Sequence, residues 1–204
     1  MKERKTIRYY LGVDEVGRGA LAGPLIVCVL EYKSSTLTSK KVTDSKKLSK
    51  REMLQFWRAY KTKFNFSFGI VWPSEIDKLG MTFGTKLAIE RALNAISYSS
   101  LNLKNLDLYI DGNFKFSFDK VKKTFSVIKG DLSHKGISLA SIFAKVYRDE
   151  IMRNYDTIYP SYNFKSNVGY GSSLHLNSIK IHSIVRIHRK LFLRKFNEKN
   201  LISR

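Results

Sequence analysis

The chain has 204 residues, 43% hydrophobic and 26% charged, enough for one folded domain with a real core and too apolar for a disordered chain. Lys and Arg number 37 against 17 Asp and Glu; the net charge of +20 exceeds what solubility needs and points to a polyanion, nucleic acid ahead of an anionic membrane surface. A single cysteine, Cys28, excludes an intramolecular disulfide and reads as a small buried hydrophobe. With no apolar signal core in MKERKTIRYY and no run near the ~18 apolar residues of a membrane span, a soluble, cytoplasmic protein with no membrane partner is expected.

Residues 7–14 are rich in β-formers and residues 24–32 form a second apolar run. The glycine-rich stretch EVGRGALAG lies between them, and runs joined this closely predict an antiparallel pair. Residues 34–47, polar and basic, predict a loop. Ser49-Lys50-Arg51-Glu52 fits a capping box, which predicts a helix to about residue 61. Aromatic and β-branched residues 64–72, stopped by Pro73, predict a strand. Phe83, Leu87, Ala88, Leu93 and Ile96 recur near helical spacing and predict a helix over 81–96, with Gly80 and Gly84 weakening its start. Residues 106–110 predict a short strand delivering Asp111, and 125–129 another delivering Gly130 and Asp131. Ile137, Ala140, Ser141, Ala144 and Ile151 share one side of a helix over 137–152. From about residue 173 the tail is very basic and carries two helical patterns. There is no repeat and no Gly/Ser linker. Strands and helices in this order predict an α/β fold with a mixed sheet.

The chemistry has to come from carboxylates. His134, His175, His182 and His188 stand at no ligand-like spacing with a cysteine, and neither a GxxxxGK[ST] phosphate loop nor a GxSxG elbow is present. Asp14 and Glu15 end the first strand, Asp111 ends a later one, and Asp131 follows another. Taken singly, each reads first as a turn former. Together, in so cationic a chain, they suit Mg²⁺ or Mn²⁺, which prefer hard oxygen ligands. Two such ions about 4 Å apart can activate a water and stabilise the leaving oxygen of a phosphodiester. Adjacent Asp14 and Glu15 point to opposite faces of a regular strand, so both serve one site only if the strand ends or bulges there.

The stretch DEVGRGALAGP at residues 14–24 resembles the DEAGRGPLAGP signature of type HII ribonucleases. Asp44-Ser45-Lys46-Lys47-Leu48-Ser49 matches that family's DSKKLS segment, Tyr109-Ile110-Asp111-Gly112 its third acidic position and Lys129-Gly130-Asp131 its fourth. SLASIFAKVYRD at 138–149, Tyr159-Pro160, Gly169-Tyr170-Gly171-Ser172 with His175, and Ile187-His188-Arg189 resemble its later motifs in order. The resemblance runs from about residue 10 to 190. It departs at Gly80, where Asn is usual, at Ser172, where Thr is usual, and at 182–186, which lack a Gly-Pro-Ser-Pro run.

The resemblance implies a ribonuclease-H-like mixed five-stranded sheet flanked by helices, catalytic over 1–155, with a helical part over 156–204 completing the cleft in the same unit. It implies endonucleolytic cleavage of RNA–DNA hybrids and of single ribonucleotides in duplex DNA, 5′ to the ribonucleotide. Asp14, Glu15, Asp111 and Asp131 would hold two Mg²⁺ or Mn²⁺ ions, with Asp14 bridging them. Gly17, Arg18 and Gly19 would read 2′-hydroxyls through their backbone, a sensible use of glycines that let a chain approach a sugar. Tyr170 would stack at the RNA–DNA junction; otherwise it is a core or turn tyrosine. Lys46, Lys47, Lys145, Arg148 and Arg189 are expected at phosphates or in support, although Lys145 and Asp149 at i,i+4 can simply pair. The end LFLRKFNEKNLISR does not match a clamp-binding peptide, so Phe192 and Phe196 read as an apolar helix face and a monomer is expected. A type HIII ribonuclease, a catalytically dead relative and a junction resolvase are the alternatives; the GRG and DSKKLS segments and the full acid set weigh against them.

Overall fold

The computed structural model describes residues 8–33, 48–96 and 102–194. Its strands are β1 (Tyr9–Val16), β2 (Leu25–Lys33), β3 (Phe66–Val71), β4 (Asp107–Asp111) and β5 (Lys123–Val127), forming one sheet in the order β3-β2-β1-β4-β5. β1–β2 and β2–β3 are antiparallel, β1–β4 and β4–β5 parallel, so the sheet is mixed with β1 at its centre. The helices are α1 (Lys50–Tyr60), α2 (Pro73–Ala95), the short α3 (Gly130–Ser133), α4 (Lys135–Ile158), α5 (Phe164–Asn167) and α6 (Ser173–His182).

Alternation along the strands builds the layers. Leu25, Val27 and Val29 of β2 join Leu11, Val13, Leu108 and Ile110 in a core covered by α2. Ile26, Cys28 and Leu30 face the other way, against Met53 of α1 and Leu139, Ala140 and Phe143 of α4. A strand buried on both faces reads as an unbroken apolar run, which is why residues 24–32 stood out. A third core gathers Ala22, Met152, Tyr162, Phe164, Val168, Ile179 and Ile187. It ties the C-terminal segments to the glycine-rich stretch after β1. α4 runs through to Ile158, across the expected division at 155/156.

One close approach positions the site. A Cβ on Gly12 of β1 would lie 2.2 Å from the carbonyl carbon of Gly136, so α4 can press directly onto the central strand only because both positions are glycine. The Ser49 capping box forms as expected: Glu52 N donates to Ser49 Oγ at 3.3 Å and Ser49 N donates to Glu52 Oε2 at 2.9 Å.

Two elements differ from expectation. α2 adds a segment from Pro73 ahead of the expected helix at 81–96: proline at the first helical position loses no hydrogen bond, and Glu75 Oε2 accepts from Trp72 N at 2.9 Å. Gly80 then breaks the helix at φ 73°, ψ 170°, which erases a continuous helical period from the sequence. β5 ends at Val127 because Lys129 adopts a left-handed φ of 56° to turn into α3. Lys46, Lys47 and Phe196 lie outside the described residues. Among those described, no helix is long and apolar enough to cross a membrane.

Candidate active site

The parallel pairing of β1 and β4 ends at Val13↔Ile110, which sets Asp14 and Asp111 side by side at the strand ends. Asp14 is 7% exposed and hydrogen-bonded to Ser141 of α4 and to the Glu15 amide, the latter at 2.8 Å. Burial first, then the charges of Glu15 and Asp111, push its carboxyl up to about 8 despite those two bonds. Burial also raises Glu15, opposed by Arg18, whose Nη1 donates to Glu15 Oε1 and to Thr85 Oγ1, both at 3.3 Å. Asp111 Oδ1 accepts from Gly130 N at 2.7 Å, joining β4 to the start of α3.

On the β2 side β1 runs on to Val16, but its pairing with β4 stops at Val13, so toward β4 the strand has ended before Asp14 and Glu15; Asp14 turns toward α4 and Glu15 toward Arg18 and α2. Mutual charge effects nevertheless link Asp14, Glu15 and Asp111. Asp131 is buried on α3. Among the described residues, no three His, Cys, Asp or Glu side chains close into a metal-holding group.

The Gly17-Arg18-Gly19 turn is built on two buried arginines. Arg148 donates to the carbonyls of Pro24 (2.9 Å), Val168 (2.8 Å) and Ala22 (3.1 Å). Arg189 donates from Nε to Gly23 O at 2.9 Å, and from Nη1 to Gly17 O at 2.6 Å and Arg18 O at 3.0 Å. Both are 0% exposed. Arg189, expected at a phosphate or in support, therefore lies beneath the loop, out of a phosphate's reach, and Arg148 does the same. Gly17 takes φ +90°, and a Cβ there would meet Arg148 Nε at 2.3 Å. Lys145 lies 4.0 Å from Asp149, the expected helix pair.

Tyr170 is 39% exposed, its ring over the Arg148 guanidinium at 5.5 Å. The preceding Gly169 carbonyl accepts from Leu21 N (2.8 Å) and Ala22 N (3.1 Å), which joins Tyr170 to the same loop. The Tyr170 carbonyl faces His175 Nδ1 at 2.8 Å, and His175 Nε2 faces His188 Nε2 at 3.1 Å. Sequence reasoning placed Ser141 only on a helix face and gave Thr85 no role. A serine on the apolar side of α4 was the available signal.

The sequence profile described as Ribonuclease HII matches residues 11–195, nearly the whole chain. This chain belongs to the ribonuclease HII family. Ribonuclease HII of Fusobacterium nucleatum is 38% identical over 189 residues, covering 92% of this chain and 87% of that one. Ribonuclease HII of Clostridioides difficile is 38% identical over 188 residues, 91% of this chain and 70% of its own. The crystal structure of ribonuclease H2 from Pyrococcus horikoshii superposes with a TM-score of 0.70 at 25% identity, covering 94% of this chain and 98% of that one. A ribonuclease HIII structure with Mn²⁺ shares the fold at a TM-score of 0.61 and 16% identity, over 86% of this chain and 63% of its own. As a ribonuclease HII this chain is a hydrolase of RNA, and the five-stranded sheet is that of the ribonuclease H2 and HIII structures.

Proposed function

We propose that this ribonuclease HII cleaves the RNA strand of RNA–DNA hybrids and single ribonucleotides embedded in duplex DNA. The cut falls 5′ to the ribonucleotide and leaves 3′-hydroxyl and 5′-phosphate ends, with Asp14, Glu15, Asp111 and Asp131 holding Mg²⁺ or Mn²⁺. One observation carries the reading: three carboxylates repel one another at the end of the central strands, directly before an exposed glycine turn, in a chain of charge +20. The donor set suits a hard divalent cation, since it is all carboxylate oxygen, and burial first, with the neighbouring acids added, lifts Asp14 to about 8. A bound pair of ions would supply an activated water and neutralise the leaving oxygen. The chain's own residues do the rest. Ser141 and the Glu15 amide orient Asp14, Gly130 N orients Asp111, and Arg18 reaches from the turn to Glu15. The turn offers backbone groups to a 2′-hydroxyl, and a site built around that hydroxyl rejects deoxyribose because its own polar groups would be left unpaired. Tyr170, half-exposed beside the turn, offers a flat apolar face to the next sugar, where an added 2′-hydroxyl would crowd it.

The test is cleavage of a duplex with one embedded ribonucleotide, with Mg²⁺, with Mn²⁺ and with chelator. Cutting 5′ to the ribonucleotide with either ion, and none with chelator, is the expected result. Tyr170→Ala should lower cleavage of this substrate more than that of a long hybrid. Equal losses would remove Tyr170 from the junction, and cutting of long hybrids alone would move the protein to type HIII behaviour.

A further inference from the structure

Arg189 is fully buried, yet its guanidinium bonds only backbone carbonyls: Gly23 through Nε, and both Gly17 and Arg18 through the single nitrogen Nη1. Two consecutive carbonyls thus converge on one buried atom. The peptides are trans, and in a trans peptide C=O and N–H point in opposite directions. The N–H of Arg18 belongs to the Gly17 carbonyl's peptide and that of Gly19 to the Arg18 carbonyl's, so both point away from Arg189. That side is open: Arg18 and Gly19 are exposed, and a Cβ on Gly19 would meet nothing within 4 Å. Neither N–H has an acceptor among the described residues. A guanidinium suits this task because its planar fork reaches several acceptors at once. A lysine, a single point donor on a flexible stem, cannot span the Gly23 and Gly17–Arg18 carbonyls together. Burying a charge costs several kcal/mol unless it is bonded, so an arginine placed here is placed for its geometry.

We infer that Arg189 is a positioning residue for ribose recognition: by drawing the Gly17 and Arg18 carbonyls inward, it aims the N–H groups of Arg18 and Gly19 at the 2′-hydroxyl oxygen of the substrate. The inference rests on the reading that this turn meets the ribonucleotide. It makes substrate discrimination depend on a residue that touches no substrate.

The experiment uses the full chain carrying Arg189→Lys, with two readouts. In ¹⁵N-labelled protein without nucleic acid, the Arg18 and Gly19 amide signals should shift while those of the β1–β4 core stay in place. In assays, kcat/KM for a single-ribonucleotide duplex should fall about tenfold or more, the equivalent of one lost hydrogen bond. The inhibition constant of an all-DNA competitor duplex, and its salt dependence, should not change. If Arg189→Ala folds, millimolar guanidinium should restore part of the lost kcat/KM where sodium chloride of equal ionic strength does not. Weaker binding of the all-DNA duplex, with a log–log salt slope smaller by about 0.9, would make Arg189 a phosphate contact and overturn the inference. Unmoved Arg18 and Gly19 signals would overturn it on structural grounds, even for a protein that proved to cut no RNA. Absence of cleavage by the unaltered chain would instead remove the functional reading, and leaves the amide signals to decide whether Arg189 sets the turn.

Discussion

Replacing Asp14 by Asn removes a negative charge from a place where burial and two neighbouring acids already oppose it. The neutral amide keeps the size of the side chain and is a poorer ligand for a hard cation. Cleavage should therefore be abolished while the fold survives, and a thermal melt in chelator should lie at or above that of the unaltered protein. Near-normal cleavage by Asp14→Asn with the same ion would discard the site assignment. Arg148 behaves in the opposite way. Its three bonds to Pro24, Val168 and Ala22 hold the loop to the C-terminal core, so Arg148→Met strands three carbonyls in the interior. We expect a loss of about 3 kcal/mol or more in urea unfolding. The acids and the glycine turn were legible in the sequence because acids at strand ends in a basic chain carry a chemical meaning. The arginines were not: Arg is a surface residue by default, and nothing local in SLASIFAKVYRD or IHR says that the guanidinium turns inward.

At the scale of elements, legibility followed continuity of pattern. β1, β2 and α1 announced themselves through apolar runs and a capping box. The first turns of α2 did not, because Gly80 splits the helix and the two halves do not share a period. The contact between α6 and the segment after it was equally hidden, since it depends on two histidines thirteen positions apart. Their hydrogen bonds admit one consistent set of tautomers. Val185 N donates to His188 Nδ1 at 2.9 Å, so His188 carries its proton on Nε2 and donates to His175 Nε2. His175 then donates from Nδ1 to the Tyr170 carbonyl. Both rings are neutral in this set: protonating His175 puts two donors face to face at Nε2, and a protonated His188 keeps only its 3.2 Å contact from Nδ1 to the Val185 carbonyl against burial and the His175 charge. Burial lowers both, His188 to about 4 from the usual 6.5. The unfolded chain therefore binds protons below pH 6.5 that the native chain refuses. The stability this pair contributes is present above that pH and lost as pH falls toward 4, by roughly 3 kcal/mol for His188. Melting temperatures at pH 7 and 4.5 check this: His188→Gln should melt lower at pH 7 but lose less on acidification. An acid-induced loss as large as the unaltered protein's would mean that His188 does not titrate in this way.

Across the whole molecule, charge and fold have separate jobs. Three apolar cores account for the architecture of the described residues, and no Lys or Arg of those residues belongs to them. Arg148 and Arg189 are the fully buried ones among the described residues. Among the described residues, Lys115, Lys120, Lys122, Lys123 and Lys129 stand exposed along β5, the edge strand beside β4, and along the segments flanking it, with Lys122 and Lys123 at the start of the strand and Lys129 beyond the end that pairs with Asp111. A surface of this kind destabilises the compact state by self-repulsion, so its retention fits a polyanion passing over the acids. Each phosphate neutralised by such a lysine releases counterions, which makes duplex affinity fall with salt at a log–log slope of roughly 0.9 per contact. Three or more contacts imply a slope of magnitude about 3 or greater. Binding of a hybrid duplex to Asp14→Asn, which cannot consume it, measured over a salt series gives the slope directly. Replacing Lys122 and Lys123 by Gln should flatten it by up to about 2 without changing which duplexes are preferred, because phosphate contacts carry no information about the sugar. A slope near zero in the parent protein would mean that this basic face meets something other than nucleic acid.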